Sequence, residues 1–231
     1  MKKTIGIIGA LNEEIEEIKS RLDITDKTSI GHTTYFTKKH KDIQIVLTKT
    51  GVGKVFSAMI TQHLIDHFSP DIVIFTGVAG SINPNINIGD IVIAEKCVQY
   101  DLDVTELGFE IGSIPYTTYR YFESDKNLVE LALKTQNKDT IKKGTVLTGD
   151  MFITDKNFKK HNDNFIKLKG DIIEMEGASV GQVCTINNTP FLIVRTISDK
   201  ADNSAKVNFT SLLPVVAKNS YDIINHLLNN I

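Results

Sequence analysis

The sequence predicts an α/β protein in which helices cover a largely parallel, twisted β-sheet, with residues 1–231 forming one domain. Short apolar runs, typical of strands buried on both faces, alternate with segments of helical periodicity. No linker rich in proline, glycine or serine interrupts this alternation, and no internal repeat or low-complexity tract does so. A chain of 231 residues can bury a large core without a disulfide or a metal.

In the first half of the chain, four apolar runs predict strands and two segments predict helices. Asn12 is a good N-cap for the first helix, and Pro70 ends the second. The small-residue segment Gly77–Ser81 is predicted to be a loop in which a ligand can approach the backbone closely. The predicted strands are Thr4–Ile8, Thr33–Thr37, Ile43–Thr48 and Asp71–Thr76, and the predicted helices run from Asn12 to Leu22 and from Lys54 to Phe68.

The second half continues the alternation after an irregular stretch. Between Gln99 and Asp125 the periodicity fades, which indicates a long functional loop or an interface arm. The predicted strands are Ile91–Val98, Ile141–Thr148, a short run after Asp171, and Phe191–Thr196, and the predicted helices run from Ser124 to Gln136, Asp155 to His161, Gly177 to Ile186 and Thr210 to Leu228.

Composition excludes several classes of protein. A net charge of −2 offers no attraction to nucleic acid or to an anionic membrane, and no run of 18 apolar residues predicts a membrane span. The basic, apolar N-terminus is too short for a secretory signal and is read as the first strand of a mature protein. Two cysteines, Cys97 and Cys184, are too few for a disulfide framework and suit a reducing cytoplasm.

Unusual polar chemistry collects where the predicted strands end. Glu174 and Glu176 lie at a strand-to-helix switch, Glu14 lies just inside the first helix, and Ser198-Asp199 follows the last strand. In open α/β sheets, ligands bind in the crevice at the carboxyl ends of strands. With the aromatic Phe152 at another strand end, these groups suit a neutral, hydroxylated and partly aromatic ligand, which is the description of a nucleoside.

Six motifs along the chain carry a resemblance to a known family. They are IGIIGALNEE (5–14), TGVAGS (76–81), GDIVI (89–93), GDMFI (149–153), EMEGA (174–178) and RTISDKAD (195–202). In this order they resemble the bacterial 5′-methylthioadenosine/S-adenosylhomocysteine nucleosidases, from residue 5 to about residue 210. The resemblance implies a three-layer α/β/α sandwich with a central mixed, largely parallel sheet, as in the nucleoside phosphorylases.

The resemblance also implies a reaction and a role for each matching residue. Members of the family hydrolyse the N-glycosidic bond of adenine thioribosides. Glu14 would activate water and Asp199, oriented by Ser198, would protonate adenine N7. The implied substrate-binding residues are Glu176 on the ribose hydroxyls, Met175 against the sugar, Phe152 stacked on adenine, the Ile153 backbone on the adenine edge, and Val78, Gly80 and Leu11 along the walls.

Three positions depart from the family pattern, and they leave the substrate preference open. Leu11 stands where methionine is common, Val78 where serine is common, and Leu107 where an aromatic residue is common. Methylthioadenosine, S-adenosylhomocysteine, 5′-deoxyadenosine and aminodeoxyfutalosine all remain candidates. The family further implies a homodimer in which residues near Leu107–Pro115 reach the neighbouring subunit's site.

Two other functions remain open from the residues alone. A phosphorylase must bind an anion, usually with arginine, and the chain has only three arginines. Of these, Arg195 is more simply a partner for Glu174 or Glu176, although a lysine could still bind phosphate. A non-catalytic nucleoside-binding protein is the second alternative. No cofactor is expected, and His63 and His67 lack an evident third ligand, so no metal site is expected either.

Overall fold

The computed structural model describes residues 3–136, 140–201 and 205–231. Within these ranges, ten strands join one mixed sheet and six α-helices pack against it. The strands are β1 (Lys3–Gly9), β2 (Asp26–Ile30), β3 (Thr33–His40), β4 (Ile43–Lys49), β5 (Ile72–Ser81), β6 (Ile91–Gln99), β7 (Phe122–Glu123), β8 (Ile141–Thr148), β9 (Ile172–Glu174) and β10 (Phe191–Asp199). The helices are α1 (Asn12–Arg21), α2 (Lys54–Phe68), α3 (Lys126–Ala132), α4 (Asp155–Lys167), α5 (Gly177–Ile186) and α6 (Ala205–Asn230), and Thr105–Leu107 forms a 3₁₀ turn.

The sheet is open at one end and closes on itself at the other. Its order is β10-β6-β8-β9-β5-β1-β4-β3-β2, and β10 also pairs with β5. Five strands, β5, β10, β6, β8 and β9, therefore form a closed ring, while β1 to β4 continue from β5 as an open extension. The pairs β1–β4, β1–β5, β5–β10, β6–β8 and β8–β9 are parallel. The pairs β2–β3, β3–β4, β5–β9, β6–β7 and β6–β10 are antiparallel. The predicted mixed sheet is confirmed.

Strand periodicity explains the two outer layers, because successive side chains of a strand point to opposite faces. On one face Ile5 and Ile7 of β1 belong to a core shared with α1, α3 and α6. On the other face Ile8 of β1 and Phe75 of β5 belong to a core shared with α2 and α5. A smaller third core beneath α4 contains Tyr100. Helices thus cover both faces, as the three-layer prediction requires.

One element at the centre of the sheet differs from its prediction. The segment Gly77–Ser81 was predicted to be a loop, but β5 continues through it to Ser81. Its backbone pairs with β10 on one side, and Gly80 and Ser81 pair with β9 on the other. The apolar run that marks a buried strand stops at Thr76 because small residues follow it. The packing of side chains in the functional site explains why small residues are needed there.

Two strands were not predicted, and several helix ends differ. The edge strand β2 is polar and exposed along nearly its whole length, so it has no alternating pattern to detect. The strand β7 has only two residues. The N-cap of α3 is Asp125, whose carboxylate accepts the backbone N–H of Leu128 at 3.0 Å, and not the predicted Ser124. Both α4 and α6 are longer than predicted, and α6 contains Pro214 in its interior.

None of the helices in the described ranges combines the length and the apolar character that a crossing of a lipid bilayer requires.

Candidate active site

A cavity of about 330 Å³ opens at the carboxyl ends of β1, β5, β8, β9 and β10. Its size is within the range of small-molecule sites. All ten residues that the sequence proposed for substrate and catalysis line it: Leu11, Glu14, Val78, Gly80, Phe152, Ile153, Met175, Glu176, Ser198 and Asp199. The tertiary structure therefore brings five separate segments of the chain to one surface.

Glu14 is held at the cavity by the start of α1. Its Oε2 atom accepts the backbone N–H groups of Ala10 at 2.6 Å and Leu11 at 2.9 Å, so the carboxylate folds back over the first turn of its own helix. The side chain is buried, and this burial raises the pKa of Glu14. The positive charge of Arg195 and the backbone hydrogen bonds oppose the rise without cancelling it. A base with a raised pKa accepts a proton more readily near neutral pH.

Two glycines of β5 make room for the carboxylates. A Cβ atom on Gly77 would lie 2.8 Å from Glu14 Oε1 and 3.1 Å from Arg195 Nη1, and one on Gly80 would lie 2.8 Å from Asp199 Oδ1. All three distances are shorter than ordinary van der Waals contact. These two glycines therefore leave room for acidic side chains to pack against the strand. This role is additional to the close approach of a ligand that the sequence predicted.

Asp199 lies at an irregularity in β10. The register between β10 and β5 shifts between Ile197 and Asp199, which leaves Ser198 as an extra residue. Such bulges turn side chains toward active sites. The Ser198 hydroxyl donates to Asp199 Oδ2 at 2.7 Å, and the Ala201 backbone N–H donates to Oδ1 at 2.8 Å. The predicted orientation of Asp199 by Ser198 is confirmed.

Glu174 and Glu176, two residues apart, have different surroundings. Glu174 pairs with Arg195, whose Nη2 donates to its Oε2 at 2.6 Å, and it also accepts the hydroxyl of Thr148. The backbone N–H of Gly177, the first residue of α5, donates to both of its oxygens at 2.9 and 2.7 Å. This carboxylate is held by the protein itself, and the predicted pairing of Arg195 with one of the two glutamates is confirmed.

Glu176 is the less satisfied of the pair. Its Oε1 accepts the backbone N–H of Gly53 at 2.8 Å. Burial, followed by repulsion from Glu174, raises the pKa of Glu176 to about 8, against the opposing effects of Arg195 and the Gly53 hydrogen bond. A ligand whose hydroxyl groups donate hydrogen bonds to this carboxylate would lower the free-energy cost of ionising it in a buried position.

This raised pKa makes a pH-dependent difference in stability. A carboxyl group whose pKa is higher in the folded protein than in the unfolded chain binds more protons when folded, so stability falls as pH rises from about 4.5 toward about 8. Glu176→Gln removes this loss. The melting temperatures of Glu176→Gln and wild type are compared at pH 5 and at pH 8 by calorimetry without ligand. We expect the advantage of the variant over wild type to be larger at pH 8 than at pH 5 by at least about 3 °C. Glu13→Gln, at an exposed position, is the control, and equal growth there would contradict the prediction.

The remaining predicted residues form the less polar walls of the cavity. Phe152 is half exposed at its rim, and its carbonyl oxygen accepts the side-chain amide of Asn157 at 3.1 Å. Ile153 is buried beneath it, in the turn that leads into α4. Met175 lies between the two glutamates. An aromatic rim, apolar walls and a floor of carboxylates can hold a flat base at one end and a hydroxylated group at the other.

The histidine pair considered in the sequence lies elsewhere. His63 Nδ1 is 2.5 Å from the hydroxyl of the buried Tyr35, and the ring of His67 lies 4.3 Å from that of His63. In the ranges that the structure describes, no group of three or more histidine, cysteine, aspartate or glutamate side chains is arranged to hold a metal ion.

Comparison with known proteins identifies the family. The model of the phosphorylase superfamily matches residues 4–229. A 5′-methylthioadenosine/S-adenosylhomocysteine nucleosidase of Staphylococcus aureus is 35% identical over 233 positions, which cover 98% of this chain and 100% of that protein. The chain belongs to this nucleosidase family.

Solved structures of nucleosidases have the same fold. The enzyme of Neisseria meningitidis, in complex with methylthio-immucillin-A, superimposes with a TM-score of 0.92 at 30% identity and covers 99% of this chain and 100% of that one. The native futalosine hydrolase of Helicobacter pylori gives a TM-score of 0.93 at 29% identity and covers 100% of this chain and 99% of that one. The resemblance read from the six motifs is confirmed, and so is the fold that it implies.

Part of the cavity of this nucleosidase was not predicted from the sequence. The motif ranges contained most of the missed residues, but the residues were not singled out because they have no distinctive chemistry. Val52 and Ile173 lie outside the motifs. The only signal at Val52 was the pair of glycines that flank it, and Ile173 belongs to the short apolar run that was predicted as a strand after Asp171. The missed lining residues are Ala10, Val52, Ala79, Met151 and Ile173. Glu174 and Arg195 also line the cavity; the sequence had singled out both, but not as substrate contacts.

Proposed function

We propose that this protein hydrolyses the N-glycosidic bond of 5′-methylthioadenosine and S-adenosylhomocysteine, with 5′-deoxyadenosine as a further candidate substrate, and releases adenine and the ribose-containing product. The observation that carries the proposal is the combination in one cavity of the buried carboxyl groups of Glu14, Glu176 and Asp199 with the aromatic ring of Phe152. Membership of the nucleosidase family supports the same reaction.

The proposed chemistry needs both an acid and a base. As the bond between C1′ and N9 breaks, its electron pair goes to the purine and the ribose becomes cation-like. Asp199 donates a proton to adenine N7, so that a neutral base leaves. A water molecule adds to C1′ through its oxygen, and Glu14 accepts the proton that this water loses. The burial that raises the pKa of Glu14 suits the role of base.

Substrate binding follows from the walls of the same cavity. Glu176 would accept hydrogen bonds from the ribose hydroxyls, and Met175 would pack against the sugar. Phe152 would stack on adenine, with the Ile153 backbone at the edge of the base. The remaining residues proposed to contact the substrate are Leu11, Val78, Gly80 and Ser198.

The charges of the cavity favour water over phosphate as the nucleophile. Among the described lining residues, the only cationic side chain is that of Arg195, and it is paired with Glu174. Phosphate would have to approach the carboxylates of Glu14, Glu174 and Glu176 without a free cation to compensate for their charge. This supports the hydrolase over the phosphorylase.

The experiment that tests the function is an incubation with 5′-methylthioadenosine in phosphate-free buffer, followed by separation of the products. We expect free adenine and free methylthioribose at a rate that phosphate does not change. Adenine formed only after phosphate is added would identify a phosphorylase. Binding without turnover in either buffer would identify a nucleoside-binding protein. Aminodeoxyfutalosine belongs in the same assay because a futalosine hydrolase is among the similar structures.

We further propose that the protein is a homodimer. An exposed apolar stripe at helical spacing begins just before α2 with Val52 and continues along α2 with Val55, Phe56 and Met59; Phe56 is 55% exposed and Val55 is 78% exposed. Single exposed apolar residues are ordinary, but a contiguous stripe indicates an interaction surface. Val52 also lines the cavity, so this surface continues into the mouth of the site. The segment Leu107–Pro115 is proposed to reach the partner's site.

Phe56→Glu is expected to convert the homodimer to a monomer, because a charge at the centre of the stripe would be buried without a partner. The measurement is molar mass by light scattering coupled to size-exclusion chromatography. Ile166→Glu, which replaces an exposed apolar residue on α4, is the matched control and should remain dimeric. A wild-type protein that is monomeric at micromolar concentration would contradict the proposal.

A cytoplasmic location is also proposed. Both cysteines, Cys97 and Cys184, are free and buried, and burial raises the pKa of each thiol. Thiols in this state are inert structural residues that need no oxidising compartment. Fractionation of cells into cytoplasmic and secreted protein is the direct check.

A further inference from the structure

The N-terminus of α2 binds two carboxylates with successive backbone N–H groups. Gly53 donates to Glu176 Oε1 at 2.8 Å, and Lys54 donates to Asp150 Oδ1 at 3.0 Å. The free N–H groups and partial positive charge of a helix N-terminus favour such anions. Gly53 has a φ of 94°, which lets the chain turn between the two contacts. Glu176 is therefore positioned by the first turn of α2.

Lys54 is an unexpected residue for the first position of a helix, since a cation there opposes the helix dipole. Its side chain turns back from the helix end. Nζ is 2.7 Å from Asp101 Oδ1, 3.1 Å from Gln99 Oε1 and 3.8 Å from Asp150 Oδ2. The ammonium group is mostly shielded from solvent and is held by three acceptors, unlike an isolated surface ion pair.

These contacts close into a ring that joins three elements. The Lys54 backbone donates to Asp150, the Asp150 backbone donates to Asp101 Oδ2 at 2.9 Å, and the Lys54 ammonium group binds Asp101. The ring connects the start of α2 with the ends of β6 and β8. Gln99 extends it to α5, because its side-chain amide donates to Gln182 at 3.0 Å.

Lys54 does not line the cavity as described, yet its network adjoins two groups that do. Asp150 directly precedes Met151 and Phe152, and Gly53 holds Glu176. We propose that Lys54 is a positioning residue, which keeps the Gly53 N–H on the Glu176 carboxylate and thereby aims that carboxylate at the ribose hydroxyls. This inference rests on the role of Glu176 in the proposed function.

The test compares two substrates in wild type, Lys54→Met and Lys54→Arg. The substrates are 5′-methylthioadenosine and its 2′-deoxy analogue, which lacks a hydroxyl group for Glu176. The measured quantity is kcat/KM for 5′-methylthioadenosine divided by kcat/KM for its 2′-deoxy analogue. Their different intrinsic reactivities cancel when this ratio is compared between variants. A variant that merely unfolds in part would lose activity on both substrates equally and leave the ratio unchanged.

We expect Lys54→Met to lower kcat/KM for the parent nucleoside at least about tenfold, mainly through KM, and to lower the ratio by a similar factor. Lys54→Arg, which keeps the charge, should restore most of the ratio. Lys143→Met is the matched control, because Lys143 also pairs with two carboxylates, Glu130 and Glu95, away from the cavity. It should leave both values unchanged.

An unchanged ratio in Lys54→Met would overturn the inference, whether or not activity falls. Failure of the proposed function is recognised separately, since it would appear as a lack of hydrolysis by the wild type in phosphate-free buffer. In that event the same ratio, taken from the dissociation constants of the two nucleosides by calorimetry, still tests whether Lys54 positions Glu176.

Discussion

Asp199→Asn is expected to lower kcat for 5′-methylthioadenosine by roughly 10²–10⁴-fold while the protein remains folded, because general acid catalysis contributes about this factor. Asparagine has nearly the same shape and keeps an oxygen to accept the Ala201 backbone N–H, so the β10 bulge should survive. It has no acidic proton to give to adenine N7. Steady-state kinetics and the melting temperature, measured on the same preparation, separate the two effects.

A substrate whose leaving group needs no proton provides a sharper check. A 4-nitrophenyl riboside departs as a stable phenolate, so its hydrolysis should fall much less in Asp199→Asn than that of the adenine nucleoside. Ser198→Ala removes only the hydroxyl that orients Asp199 and should cost less than Asp199→Asn on the natural substrate. Equal losses on both leaving groups would contradict the assignment of Asp199 as the acid.

The second large effect is expected for Glu14→Gln, which should also lower kcat by about 10²–10⁴-fold because the attacking water loses its base. Only the ionised form of Glu14 can accept a proton, so wild-type kcat/KM should fall as pH drops through its pKa. Burial raises that pKa, and the decline should therefore lie above pH 4.5, the ordinary value of a glutamate. Profiles of kcat/KM against pH for wild type and variant measure this directly.

The neighbouring glutamate is the control for this experiment. Glu13→Gln removes the same charge from the same helical turn, but at an exposed position, and should leave the rate and the profile intact. In Glu14→Gln the residual activity should lose the part of the acidic decline that belongs to Glu14, whereas the part that belongs to Glu176 should remain. Near-wild-type turnover in Glu14→Gln, or an unchanged decline, would mean that a different group activates the water.

Much of the fold was predictable because strands buried on both faces are apolar runs. β1, β4, β6 and β8 were predicted within one or two residues on this basis. The polar edge strand β2 and the two-residue β7 have no such pattern and exist only through their pairing with β3 and β6. Closure of five strands into a ring was also not predicted, since it depends on β10 pairing with both β5 and β6.

The candidate site was predictable to a similar extent. Distinctive residues at strand ends, such as Glu14, Phe152 and Asp199, could be proposed because parallel strands bring their carboxyl ends together. The glycines of β5 were noticed as room for a ligand, but their second role, as room for acidic side chains, was not predicted. Their role depends on the side chains of Glu14 and Asp199, which pack across the strand from distant parts of the chain.

The sequence by itself determined the alternation of the apolar strands with the helices, the family, and the acidic residues available at the strand ends. The tertiary structure alone decided how two glutamates only two residues apart differ. Glu174 is neutralised by Arg195, whereas Glu176 receives a hydrogen bond from Gly53, which is 123 residues away in the chain. Burial and hydrogen-bond partners set the charge state of a carboxyl group, and both arise from segments that meet only when the sheet has formed.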